Sequence, residues 1–344
     1  MHMRAPEFQA NATTSTGCDV CLDPQKSFAK LFKRTVILLA GPTGSGKTDV
    51  SLKLAPMIDG EIISVDSMQV YRGMDIGTAK VSWEDRQRVP HYLIDICHVQ
   101  ELFNAVDFYY QAVQACQNIL SRNKVPILVG GTGFYFHTFL SGPPQGPSAD
   151  CDFREKLDLY IQEHGLSLLY ENLCLKDPEY ARTITKNDRN KIVRGLEIIH
   201  LTGKKVSDHK WTREVGECRE YNCRGWFLSP PKELLRDTIQ LRCQRMLEDD
   251  LIDEVHRLLK QGIRDNSSAS KAIGYREWIE FIDQGSPAEA YEAVKQKFIA
   301  NTCHYTKKQR TWFKRYPIFR ELPTLGLTAE TLAAKIAEDY FLHG

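Results

Sequence analysis

The run Gly41-Pro42-Thr43-Gly44-Ser45-Gly46-Lys47-Thr48 has the spacing of a phosphate loop: a glycine, four residues, then Gly-Lys-Thr. Glycines let successive backbone N–H groups turn inward around anionic oxygens. A helix starting here adds its unpaired N–H groups and the positive end of its dipole. Lys47 brings a full charge, and the Thr48 hydroxyl can ligate Mg²⁺. Gly41, Thr43, Gly44, Ser45, Gly46, Lys47 and Thr48 are therefore candidate ligands of a group carrying phosphate or diphosphate.

Downstream lies Asp66-Ser67-Met68-Gln69, at the start of a run ending at Lys80. A carboxylate just past a strand can hold a metal ion or act as a general base toward an acceptor near the phosphates. It can equally cap the next helix, and the two roles are compatible. Gln69 offers both a donor and an acceptor for a base edge. Gly130-Gly131-Thr132-Gly133 is a further turn that admits close approach of a ligand, or simply begins a helix.

Cations cluster in two places. Arg189, Lys191 and Arg194 suit a phosphate backbone or an ordinary solvated helix face. Lys307-Lys308-Gln309-Arg310-Thr311-Trp312-Phe313-Lys314-Arg315-Tyr316 has no acidic residue and interleaves aromatics with cations. That pairing suits nucleic-acid phosphates and exposed bases, with Trp312 packed beneath the basic face, or the aromatics form the buried side of an amphipathic helix. Arg242 and Arg245 can clamp a diphosphate or pair with the acidic residues that follow them.

These residues need a scaffold that brings strand ends together. Apolar segments at 36–40, 61–65, 93–96, 125–129 and 224–228 read as strands, and the segments at 47–54 and 108–122 read as helices. Alternating strands and helices predict a parallel sheet with ligands at the carboxyl ends of its strands. A breaker cluster at Gly142-Pro143-Pro144 opens a stretch with helical period and no strong strand. The expected organisation is a poorly structured leader over 1–33, an α/β core over 34–141 and 211–344, and a helical insertion over 142–210. Further helices are expected over 233–261, 275–284 and 287–316.

The net charge of +1 excludes a general polycation, so any nucleic-acid binding is local. No apolar run is long enough to span a bilayer, and the N-terminus lacks the order of a secretory signal. The expected location is the cytoplasm. The 10 cysteines are scattered, with Cys18/Cys21 the one Cys-x-x-Cys, which favours reduced thiols over a zinc site.

Taken in order, the phosphate loop, the run from Asp66 to Lys80, Pro90-His91 with Leu93-Ile94-Asp95-Ile96, Ala105-x-Asp107-Phe108, the turn before Tyr135, Ile273-Gly274-Tyr275-Arg276 and Lys307-x-Gln309-x-Thr311-Trp312 resemble the bacterial tRNA dimethylallyltransferases, also called tRNA isopentenyltransferases. The likeness runs from about residue 36 to about 316. It implies a P-loop NTPase-like parallel sheet flanked by helices, with an all-helical insertion that binds tRNA. It also implies transfer of a dimethylallyl group from dimethylallyl diphosphate to N6 of the adenosine 3′ of the anticodon, in tRNAs reading codons that begin with U. The nucleotide-binding loop motif would then hold a diphosphate leaving group rather than ATP, with Mg²⁺ at Thr48.

By the same resemblance, Asp66 is the base, with Lys47 and Thr48 beside it, and Arg242 reaches the diphosphate. Asp66, Ser67, Met68, Gln69, Thr132, Arg154, Asn190, Lys191, Ile192, Val193, Arg194, Lys307 and Arg310 are expected on the tRNA side, gripping the anticodon stem-loop of a single tRNA with a monomeric enzyme. The chain departs from the family at Gly44, Tyr92, Asn190, Lys191, Cys303 and Lys308, none of which touches Asp66 or Lys47. The competing expectations are an adenylate isopentenyltransferase and a small-molecule kinase, both compatible with the loop. The first has no use for a helical insertion or for the basic segment after Lys307.

Overall fold

The computed structural model describes residues 35–143, 146–208 and 221–343. The leader expected over 1–33, with Cys18 and Cys21, lies outside them. Strands β1 (Thr35–Ala40), β2 (Gly60–Val65), β3 (His91–Tyr92), β4 (Val125–Gly130), β5 (Asn222–Ser229) and β6 (Phe319–Pro323) form a 6-stranded sheet in the order β3-β2-β4-β1-β5-β6. Every neighbouring pair is parallel. Register pairs Ala40 with Gly130 and Val65 with Gly130. The chain therefore leaves β1, β2 and β4 at one level, and Gly41, Asp66 and Gly131 emerge side by side. Gly130 is obligatory there, because a Cβ would lie 2.0 Å from the Val65 carbonyl oxygen.

The helices follow as α1 (Lys47–Met57), α2 (Trp83–Arg88), α3 (Ala105–Ser121), α4 (Gly133–Ser141), α5 (Cys151–His164), α6 (Leu166–Lys176), α7 (Pro178–Arg182), α8 (Arg189–Thr202), α9 (Lys232–Glu248), α10 (Leu251–Lys260), α11 (Tyr275–Asp283), α12 (Tyr291–Phe313) and α13 (Ala329–His343). One face of the sheet buries Val36, Leu38, Ile63 and Leu128 against Phe108 of α3 and Phe136 and Phe139 of α4. The other buries Ile37, Leu39, Ile62 and Ile127 against Leu54 of α1 and Leu332 and Ile336 of α13. Strands covered on both faces are continuously apolar, which is why 36–40 and 125–129 are legible in the sequence. Each such buried aliphatic side chain contributes about 1.5–3 kcal/mol of transfer free energy. Helices α9 to α12 share a third core around Trp278. Helices α5 to α8 pack on Leu173 and Ile192 in a small core of their own.

The structure corrects several expected elements. The third strand is His91–Tyr92, not 93–96, because Leu93 (φ 63°) and Asp95 (φ 57°) take left-handed conformations that end an extended ladder. The Asp95 carboxylate instead binds Lys80 and Arg86 at 2.6 Å each. The helix expected over 233–261 breaks between Glu248 and Leu251, where Asp250 has φ 67°. The helix expected over 287–316 opens with a 3₁₀ turn, Ala288–Ala290, and ends at Phe313. Helix α2, strand β6 and helix α13 are additions that the sequence reading did not contain.

Candidate active site

The phosphate loop joins β1 to α1. Ser45 N–H donates to the Pro42 carbonyl at 3.2 Å, and Gly44 and Gly46 have φ of 81° and 79°, conformations that favour glycine. Gly46 caps α1 without a side-chain acceptor, so the first N–H groups of the helix stay free for an anion. The Ser45 hydroxyl is buried without a hydrogen-bond partner, a position that a ligand oxygen would satisfy. Lys47 Nζ donates to the Pro42 carbonyl at 2.8 Å. Burial first, then the Arg242 charge, pushes the Lys47 ammonium down to about 7, while Asp66 opposes the shift. Lys47 is half-buried as a residue, and its ammonium is drawn onto the loop by the Pro42 carbonyl. Burial also pulls Arg242 below its ordinary value. Two cations that are desolvated and repel one another mark a cradle shaped for an anion.

Asp66 follows β2. Its Oδ1 accepts from the N–H groups of Met68 at 2.8 Å and Gln69 at 3.2 Å. No helix directly follows Asp66, so it is not a helix cap; its carboxylate closes a local Asx turn instead, which fixes it at the cleft. Ser67 N–H donates to Thr132 Oγ1 at 3.3 Å, tying this loop to the Gly130–Gly133 turn. The Gln69 amide accepts from the Ser64 hydroxyl at 3.0 Å and donates to the Thr78 carbonyl at 3.4 Å. Arg242 Nη2 donates to the same Thr78 carbonyl at 3.4 Å, which brings α9 over the site.

Thr43 to Thr48 of the phosphate loop, Asp66, Gln69, Thr78, Arg242, Tyr305 and Gln309 line a cavity of about 880 Å³. An adjoining cavity of about 300 Å³ shares Thr43, Asp66 and Arg242, and its apolar lining includes Met68, Cys243, Met246, Ile273 and Phe298. The site therefore has an anion-binding end and an apolar end that meet at Asp66. Among the described residues no group of three or more His, Cys, Asp or Glu side chains can hold a metal by itself. The exposed Thr48 suits Mg²⁺ shared with ligand oxygens and water.

Two buried side chains organise the cleft, and the sequence reading gave neither a role. Gln309 of α12 accepts the Thr43 N–H and donates to the Gly131 carbonyl, both at 2.9 Å, bridging two strand-end loops. Glu254 of α10 accepts the N–H groups of Asp75, Ile76 and Gly77 at 3.0, 2.8 and 3.2 Å, and the Tyr275 hydroxyl at 2.7 Å. Gly77 is required because a Cβ would meet the Tyr275 ring at 2.6 Å. Tyr305 is pushed up to about 12, by burial and then by the Asp66 charge. Both helices mix polar and apolar residues, so nothing in the sequence set these two positions apart.

The remaining expected residues lie away from this cleft or are already engaged. The buried Glu197 carboxylate binds Arg154 at 2.7 and 2.8 Å, and also Arg194, whose Nη2 donates to the Pro147 carbonyl at 2.7 Å. Lys191 pairs with Asp188 at 3.2 Å, and Asn190 is exposed. Ile192 and Val193 are buried, so their side chains face the helical interior, not the solvent. Lys307 is exposed, whereas Arg310 donates to the Pro230 carbonyl at 2.7 Å and fastens α12 to the end of β5. Cys97, Cys151, Cys174, Cys243 and Cys303 are free thiols.

A family model described as IPP transferase matches residues 69–316. A protein of Chlamydia abortus named tRNA dimethylallyltransferase is 95% identical over 99% of this chain and 100% of its own length. One of Chlamydia pneumoniae with the same name is 70% identical over 98% of each. The solved tRNA isopentenylpyrophosphate transferase of Staphylococcus epidermidis superposes with a TM-score of 0.65 at 34% identity, over 90% of this chain and all of the other. A eukaryotic dimethylallyltransferase solved in the course of acting on tRNA superposes with a TM-score of 0.72 at 25% identity, over 90% of this chain and 79% of its own.

Proposed function

Because the chain belongs to the IPP transferase family, we propose that it is a tRNA dimethylallyltransferase whose donor is dimethylallyl diphosphate and whose acceptor is N6 of the adenosine 3′ of the anticodon in tRNAs reading codons that begin with U. One observation carries the assignment of roles: the Asp66 carboxylate is fixed at the junction of an apolar chamber and a cradle containing two desolvated cations. The phosphate-loop amides, Lys47 and Arg242 bind the diphosphate and favour the charge that grows on it. The N6 lone pair forms a bond to the first allylic carbon. The carbon–oxygen bond breaks, and its electrons leave on the diphosphate. Asp66 takes the proton from N6. Mg²⁺ bound beside Thr48 would supply further charge neutralisation on the diphosphate oxygens.

The adenine reaches this cleft by leaving its stack, which is cheapest in a single-stranded loop. We assign Ser67, Met68, Gln69 and Thr132 to the neighbourhood of the target base. The helices from α5 to α8 and the exposed cations around Lys307 hold the anticodon stem-loop. No helix among the described residues is long and apolar enough to cross a membrane. We infer that the enzyme works in the cytoplasm, where its tRNA acceptor is met, and as a monomer, a reading supported by one chain carrying every residue named for the site.

The decisive experiment is mass spectrometry of nucleosides from unmodified tRNA incubated with enzyme, Mg²⁺ and dimethylallyl diphosphate. Prenylated adenosine should form without ATP, and free AMP should not substitute for tRNA. Asp66→Asn keeps an acceptor for the Met68 and Gln69 N–H groups but is no base. It should lower product formation by about 10²–10⁴-fold and leave tRNA affinity unchanged. Wild-type rates in Asp66→Asn would overturn the role of Asp66. Product from AMP, or a requirement for ATP, would overturn the reaction.

A further inference from the structure

Phe134 is 53% exposed at the start of α4, two residues past Thr132, which lines the smaller cavity. It is backed by an ordered aromatic series. Its ring stacks on His137 with centroids 6.2 Å apart and planes at 26°. The Tyr316 hydroxyl meets His137 Nδ1 at 3.1 Å, and Tyr316 stacks on Trp312 at 4.1 Å. Trp312 lies against the backbone of Gly133, where a Cβ would come within 2.3 Å of its ring. The ring of Phe134 is thus presented to solvent by a rigid support. In the segment that carries Trp312 and Tyr316, Lys307, Lys308, Lys314 and Arg315 are exposed and take part in no ion pair among the described residues.

An exposed aromatic face costs free energy in water and gains it under another flat ring. Unpaired cations alongside call for a partner that carries anions at regular intervals. A single-stranded RNA loop supplies both in one chain, which a protein surface of aromatic residues does not. When one base leaves its stack for the cleft, the neighbouring base loses a stacking surface, and an aromatic side chain can replace it. We propose that Phe134, held by His137 and Tyr316, is the stacking platform for the nucleobase adjacent to the one that enters the cleft. The inference rests on the RNA-modifying reading given above and adds a recognition contact outside the reaction centre. Phe134 touches no reacting atom and acts by positioning the loop.

The test compares wild type with Phe134→Ala and Phe134→Trp on three anticodon stem-loops: the intact RNA, and RNAs abasic at the nucleotide on either side of the target adenosine. Affinity is read by fluorescence anisotropy and product by nucleoside mass spectrometry. Phe134→Ala should bind the intact stem-loop roughly 5- to 150-fold more weakly, the range expected for losing one base–aromatic stack. It should bind one of the abasic RNAs as wild type does, because that RNA has no base left to stack. Phe134→Trp should restore affinity for the intact RNA. Unchanged affinity of Phe134→Ala for the intact RNA would overturn the platform and leave the patch to another kind of partner. An equal loss on all three RNAs would also overturn it. Prenylation by the wild-type enzyme is scored first, so a failure of the reaction itself is told apart from a failure of this contact.

Discussion

Lys47 offers a test of the diphosphate cradle through proton linkage. In the free protein its ammonium titrates at about 7, because burial and the Arg242 charge disfavour the protonated form. A bound diphosphate reverses the balance and raises the value, so donor binding takes up a proton wherever the free protein has lost it. The sign is fixed: affinity is full below about 7, falls as pH rises above it, and levels off once the pH passes the raised value in the complex. A group titrating at about 7 is mostly charged at about pH 6.5 and only about 3% charged at about pH 8.5, so affinity should fall roughly 20-fold between them. The assay is calorimetry with Mg²⁺ and a non-reacting thio-diphosphate analogue of the donor, in buffers of different ionisation enthalpy. Lys47→Arg is the reference, since a guanidinium stays charged throughout and its curve contains only the ionisation of the analogue. Wild type divided by Lys47→Arg should give the 20-fold decline, with uptake approaching one proton at the alkaline end. Parallel curves, or no proton uptake, would refute the claim that this cradle desolvates Lys47.

Two structural perturbations probe the frame around the cleft. Gln309→Leu leaves the Thr43 N–H and the Gly131 carbonyl without their partner, at about 1–3 kcal/mol for each buried group. The reaction rate should drop by about 10- to 100-fold while RNA affinity stays within about twofold, and equal losses in both would show a general failure of folding instead. Glu254→Gln places an NH₂ group where an acceptor is needed and strands at least one of the backbone donors of Asp75, Ile76 and Gly77. The cost is about 1–3 kcal/mol, and a melting temperature equal to wild type would refute it. Glu254→Ala should be worse than Glu254→Gln, because it strands all three donors and the Tyr275 hydroxyl.

Much of the molecule was legible in residue order. The glycines and Lys47 declare an anion site through local backbone freedom and charge, and no tertiary contact is needed to see it. The apolar runs of β1, β2, β4 and β5 announce strands buried on both faces, and their alternation with helices announces a parallel sheet. Asp66 is readable because a parallel sheet brings the ends of its strands to one edge. Other features depend on which distant segments meet. Gln309 lies 266 residues from Thr43, and Glu254 lies 179 residues from Asp75. One polar residue among many in a helix carries no mark of the backbone group it will satisfy. The short third strand gave way to left-handed residues because Asp95 is drawn to Lys80 and Arg86, an attraction between side chains that no period records. Ile192 and Val193 share a cationic segment with Lys191 and Arg194, yet the packing of α8 turned them inward. Spacing and residue type thus determined which chemistry the chain can perform. Tertiary structure decided which groups hold that chemistry in place, because burial and long-range hydrogen bonds exist only once the elements have packed.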